Sequence, residues 1–256
     1  MNADSKSSIY SECLNCGDPV PKNYCGNCGQ KFQPTKLPLR LYLEDTVETL
    51  FNIDNRVFKT LKDLLLKPGK ITTEYIDGHR ASYLPPLRIY ISVSLIYFFF
   101  AILTESTQVF LVNISADQYD SGYGKAIQTS MFVLVPYFAL ITKWHHRKRD
   151  GYYIEYLIFA LHIHSVWFFL LCFSVIAGWS YTYFGFEEGS FYFYFVAAIQ
   201  IIERSLFFIY LAIYLKKVFD QSWWKAFLKT VGIIFLYLIG LLVIILPYLF
   251  LTSKLS

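Results

Sequence analysis

Charge is what this sequence has least of. Asp, Glu, Lys and Arg together make up 16% of its 256 residues, whereas soluble domains carry about a quarter. The deficit is concentrated beyond Leu87, where the chain is almost continuously apolar. That excludes one large water-excluded core and indicates a bilayer as the solvent. Long basic blocks are missing, so nothing reads as a nucleic-acid arm and no nucleic-acid partner is expected. Residues 1–10 are polar and no apolar run follows a basic start, so no cleavable secretory signal is expected. A Ser/His/Asp order, a phosphate loop and a His-Glu-x-x-His pair are absent too, which removes the common hydrolase, nucleotide and metalloprotease signatures.

Cysteine is sparse but patterned. Four of the five cysteines form Cys13-x-x-Cys16 and Cys25-x-x-Cys28, each pair followed by a glycine, Gly17 and Gly29. A two-residue gap lets one tight turn aim two thiolates at a single tetrahedral metal, and glycine suits the left-handed bend behind it. Structural zinc is the leading reading, with two disulfides, iron or a redox pair as alternatives. Disulfides fit an exported domain better, and no βαβ pattern surrounds the pairs as a thioredoxin-like unit requires. A site closed by four thiolates leaves no position for water, so it stabilises a fold and argues against an enzyme. Cys172, in an apolar stretch, reads as a packing residue.

Residues 34–38 read as a linker. From 39 to 66, Val47, Leu50, Phe51, Val57, Phe58, Leu61, Leu64 and Leu65 recur at three- and four-residue steps, which predicts an amphipathic helix. Asn52 to Asn55 interrupt it, with Asp54 or Asn55 as a cap, and Lys67-Pro68-Gly69 stops it. The stripe is expected to pack on the membrane surface or on the bundle, because the polar region is too small for its own core. Gly78 is expected to end a helix, and Pro85-Pro86 to fix the entry into the bilayer. Arg80 and Arg88 are candidates for binding lipid headgroups, or simple anchors of the first span.

Five apolar segments are long enough to cross a bilayer, near 87–112, 126–142, 156–178, 190–215 and 226–251. The turns between them alternate in charge. Asp117 and Asp120 make the first acidic, Lys143, Arg147, Lys148 and Arg149 make the second basic, Glu187 and Glu188 mark the third, and Lys216, Lys217 and Lys225 the fourth. Positive charge stays inside, so the N-terminus is expected in the cytoplasm and the C-terminus outside. A cytoplasmic head keeps its thiols reduced, which favours zinc over disulfide. Asn113-Ile114-Ser115 matches a glycosylation sequon but carries little weight. Within the spans, His162, His164, Glu203 and Arg204 are the ionisable candidates, and antiparallel packing could bring them within reach of one another. They would serve either a structural ion pair or a relay. His145-His146 reads as solvated.

The Cys-x-Asn-Cys-Gly and Tyr24-Cys25-Gly26-Asn27-Cys28-Gly29-Gln30 runs precede a second cluster. It comprises Lys67-Pro68-Gly69, Tyr75-Ile76-x-Gly78-x-Arg80 and Tyr83-Leu84-x-Pro86. Together they resemble a bacterial membrane family catalogued as domain-of-unknown-function family 3667, over about the first hundred residues. The resemblance implies bacterial inner-membrane residence, assigns no reaction, and transfers a zinc role to Cys13, Cys16, Cys25 and Cys28.

The reading is therefore a mainly α, polytopic transmembrane bundle of about five spans (87–256). It is preceded by a small zinc ribbon built on four cysteines (1–33) and by a linker with amphipathic juxtamembrane helices (34–86). Expected partners are membrane lipid and a cytoplasmic protein recruited by the ribbon. The alternative is a small transporter or membrane-embedded lipid-modifying enzyme using the intramembrane Glu, Arg and His.

Overall fold

The computed structural model describes residues 11–20, 23–32, 39–40, 56–104, 107–109, 112–114, 123–187 and 189–255. The expected linker, the first half of the amphipathic stripe, the cap at Asp54 or Asn55, Ser115 of the sequon, and Asp117, Asp120 and Glu188 lie outside them.

The head carries strands β1 (Ser11–Glu12) and β2 (Pro19–Val20), paired antiparallel, and a bridge between Tyr24 and Lys31. Two short helices follow, α1 (Arg56–Leu66) and α2 (Lys70–Ile76). The Lys67-Pro68-Gly69 break separates them as expected. Gly78 (φ 100°) closes α2, with Gly78 N–H donating to Tyr75 O and His79 N–H to Glu74 O. That left-handed C-terminal turn costs a glycine little.

Helix α3 (Pro86–Leu103) starts with proline in its first turn, where the missing N–H is no loss. It is shorter than the 87–112 span expected. An antiparallel pair, β3 (Thr107–Val109) and β4 (Val112–Ile114), takes up what would have been its end. The β-branched Thr107, Val109, Val112 and Ile114 favour strand over helix there. Three long helices and one of intermediate length complete the chain: α4 (Tyr123–His145), α5 (Tyr153–Tyr183), α6 (Phe191–Val218) and α7 (Trp223–Leu255). The Ser190 side chain caps α6 by accepting from Phe193 N–H at 3.2 Å.

Among the described residues, four helices are long and apolar enough to cross a membrane: Pro86–Leu103, Tyr153–Tyr181, Phe191–Val218 and Trp223–Ile244. The chain is a membrane protein by this criterion. Helix α4, the shortest of the five expected spans, carries Pro136 and packs against α5 and α7.

Helix α5 is the axis of the bundle. It packs against α1, α2, α3, α4 and α6, and Tyr156, Phe159, Ala160, Phe168 and Val175 are fully enclosed along it. Helices α6 and α7 are peripheral. Phe191, Tyr194, Ile201, Leu206, Trp224, Leu228, Phe235 and Val243 face outward, a surface suited to acyl chains. Close approach of α4 and α7 depends on glycine: a methyl at Gly240 would overlap the Tyr137 ring, whose hydroxyl donates to Leu236 O at 3.0 Å.

Candidate metal centre and its seat

Cys13 and Cys16 flank one turn, Cys25 and Cys28 another, and the two turns repeat the same hydrogen bonds. Cys13 N–H donates to Asp18 O and Gly17 N–H to Cys13 O, both at 2.8 Å. In the second turn, Cys25 N–H donates to Gln30 O at 2.8 Å and Gly29 N–H to Cys25 O at 3.0 Å. Gly17 (φ 79°) and Gly29 (φ 72°) supply the left-handed residue that ends each turn. The result is a convergent set of sulfurs, with all four Sγ atoms within 4.8 Å of one another.

Cys13 Sγ lies 3.5 Å from Cys28 Sγ, and Cys16 Sγ 3.5 Å from Cys25 Sγ. All four cysteines are free. A tetrahedron with Zn–S near 2.3 Å has sulfurs about 3.8 Å apart, so these residues fit a thiophilic ion. Electrostatics points the same way. The backbone N–H groups of Cys28 and Asn27 pull the Cys25 thiol down to about 7. Cys16 is drawn down by the Asp18 backbone, yet desolvation and the other three sulfurs push it up to about 12. One thiolate forms readily; four together need a cation among them.

The head has a seat on the rest of the chain. Gln30 Nε2 donates to Gly78 O at 2.8 Å, and Gln30 Oε1 accepts from the backbone N–H groups of Arg80 (2.9 Å) and Ala81 (3.0 Å). Leu14 presses on Gly78, where a Cβ would come within 2.8 Å of its side chain. The glycine that closes α2 is therefore also the floor on which the head rests. Nothing in the sequence pattern singles out Gln30 except its place directly after the second Cys-x-x-Cys-Gly.

The seat is in turn fixed to the bundle. In α1 the buried face is Thr60, Asp63 and Leu64, while Phe58, assigned to the apolar stripe, is 82% exposed. Tyr83 OH donates to Asp63 Oδ2 at 3.0 Å, and Lys67 Nζ lies 2.9 Å from Asp63 Oδ1. Thr60 Oγ1 accepts from Leu84 N–H at 3.1 Å, and Tyr210 of α6 donates to Leu64 O. Helix α2 inserts Thr72, fully buried, between α5 and α6. Its hydroxyl meets His162 Nδ1 at 2.7 Å and Tyr214 OH at 2.5 Å. Both short helices thus pack on the bundle.

The intramembrane candidates do not converge. His162 bonds Thr72, whereas His164 donates from Nδ1 to Ala160 O (2.8 Å) and meets Tyr237 OH from Nε2 (3.2 Å). Glu203 accepts from Ser174, twelve residues beyond His162 on the same helix, a rise of about 18 Å at 1.5 Å per residue. The sequence-based expectation that antiparallel spans bring the histidines and Glu203 together is therefore corrected. Level with His162 on α6 is Tyr214, which shares Thr72 with it and lies eleven residues beyond Glu203. Arg204 is half-buried beside Glu203. Arg80 holds its guanidinium over the Tyr75 ring at 5.4 Å, and Arg88 is buried at 6% exposure. His146, expected in solvent, is buried as well.

No curated protein and no solved structure matches the chain. Residues 54–98, which hold α1, α2, the seat of the head and most of α3, match the family described as protein of unknown function (DUF3667).

Proposed function

We propose that this is a bacterial inner-membrane protein in which a cytoplasmic zinc ribbon is clamped to the inner face of a five-span bundle, orders that face and presents it to a cytoplasmic protein partner. The observation that carries this reading is the closed set of four sulfurs within 4.8 Å of one another, seated through Gln30 on the segment that matches the family. Cys13, Cys16, Cys25 and Cys28 would hold the zinc, and the ion would supply cross-linking of the two turns rather than reactivity. The head exposes Tyr24 and Phe32, aromatic residues of the kind that anchor protein interfaces. Basic turns at 143–149 and 216–225 support a cytoplasmic setting for this end of the bundle, with the N-terminus inside and the C-terminus outside.

Two measurements test the proposal. Elemental analysis of the purified chain is expected to give about one zinc, lost in Cys25→Ser/Cys28→Ser. Crosslinking and pull-down from native membranes is expected to lose its captured proteins in the same variant. Equal capture by wild type and variant would sink recruitment, and a natively folded head without metal would sink the ribbon.

A further inference from the structure

The turn joining α4 to α5 and the turn joining α6 to α7 border an open cavity of about 680 Å³, of a size that takes small organic ligands. Its polar lining is of one sign. Arg147 and Lys148 come from the first turn, Lys225 and Lys229 from the first turns of α7, and His146 and Gln221 sit between them. Among the described residues, no Asp or Glu lines it. Arg149 also borders the space, but it is engaged by Glu155 at 3.1 Å and lies over the Phe219 ring at 5.3 Å.

Basic turns alone follow from membrane orientation, and exposed lysines would satisfy that rule. What orientation does not explain is the cavity's inner wall. His146 is 5% exposed, fixed by its Nδ1–H donating to Thr142 O at 2.8 Å and by stacking on Phe219 at 4.0 Å. That bond leaves Nε2 facing the Gln221 side chain, yet no hydrogen bond of ordinary geometry reaches it among the described residues. The buried Gln221 Nε2 has none either. Polar atoms buried without partners cost stability, and so does repulsion between Lys225 and Lys229 four residues apart on one helix face. An anion with both donor and acceptor oxygens removes all these costs at once.

We propose that this cavity binds a phosphate-bearing ligand, with Arg147, Lys148, Lys225 and Lys229 neutralising its charge and with His146 Nε2 and Gln221 Nε2 bonding its oxygens. A monoprotonated phosphate offers a hydroxyl to the neutral imidazole and an oxygen to the amide, which a carboxylate or chloride cannot do together. Two sources share this chemistry, a phospholipid headgroup and a soluble phosphate. Trp144 at the rim and Trp223 and Trp224 at the start of α7 are exposed, as headgroup-level residues are.

The test uses the full chain, delipidated in a neutral detergent, with phosphatidylglycerol, phosphatidylcholine and inorganic phosphate as separate probes read by native mass spectrometry and thermal shift. Lys225→Gln/Lys229→Gln is expected to weaken binding by about tenfold or more, the loss expected for charged hydrogen bonds. Gln221→Leu is expected to weaken it less, and Lys62→Gln/Lys143→Gln, which removes the same charge outside the cavity, not at all. Preference for phosphatidylglycerol over phosphatidylcholine identifies a lipid source; binding of inorganic phosphate identifies a soluble one. Absence of binding by any of these probes overturns the proposal. So does equal weakening in the cavity variant and the control; both variants replace side chains that reach the surface and are expected to melt as wild type.

Discussion

Among its described residues, the head encloses three side chains, Cys13, Val20 and Cys25, with Cys28 half-buried against them. The bundle encloses dozens, in one continuous cluster running from Leu64 to Leu241. Three of the head's four core residues are cysteines. A unit of this size cannot bury enough apolar surface to offset its chain entropy, so it needs a cross-link, whereas the bundle is self-sufficient in its medium. The two regions also meet differently from how each is held internally. Among the described residues their contact includes one glutamine side chain and one leucine on a glycine, a joint that is polar and local.

The sharpest way to break this contrast is to remove the metal. A strong chelator is expected to release on the order of 10 kcal/mol of folding energy from the head, leaving amides 11–32 fully open to hydrogen exchange. Helix content measured by circular dichroism should stay near its starting value. Collapse of both regions together would show that the head is part of the bundle's core. The converse perturbation is Phe159→Ala, a fully enclosed ring on α5. It is expected to cost about 3–5 kcal/mol and to lower the melting temperature without changing zinc content.

Smaller effects probe the joint. Gln30→Ala removes three hydrogen bonds and is expected to cost about 1–3 kcal/mol, loosening the head from the loop at 78–81 while zinc stays bound. Limited proteolysis between the head and α1 should then speed up, with no change in the metal:protein ratio. The smallest effect is at Asp63. Lys67 and then Tyr83 hold its carboxyl below the ordinary value of 3.8. Because the folded value is depressed, the contribution is present above pH 3.8 and is lost as acidity carries the group through its lowered value. Exchange of α1 amides, corrected for its intrinsic pH dependence, should rise on the acid side in wild type and stay flat in Asp63→Asn.

Much of this was legible in the residues themselves. The spacing of Cys13, Cys16, Cys25 and Cys28, the stops at Gly69 and Gly78, and Pro86 at the start of α3 are local signals, and local geometry obeys them. Helix α5 is visible as a long apolar run, and it extends beyond the expected 156–178 at both ends. The rest was hidden because it is made by residues far apart in the chain. Thr72 reads as an ordinary helix residue until it meets His162 and Tyr214. His146, in a basic turn, carries no mark of burial until Phe219 arrives to cover it. The strands at Thr107 and Val112 were absorbed into an apolar run, since hydropathy does not separate β-branched residues from helix formers.

Thr72 is 90 residues from His162 and 142 from Tyr214. A ribosome delivers the head and its short helices long before their socket exists. Helix α2 can close on Tyr214 only after α6 has been synthesised and settled beside α5. The buried threonine therefore cannot take its final position before α5 and α6 are both in place.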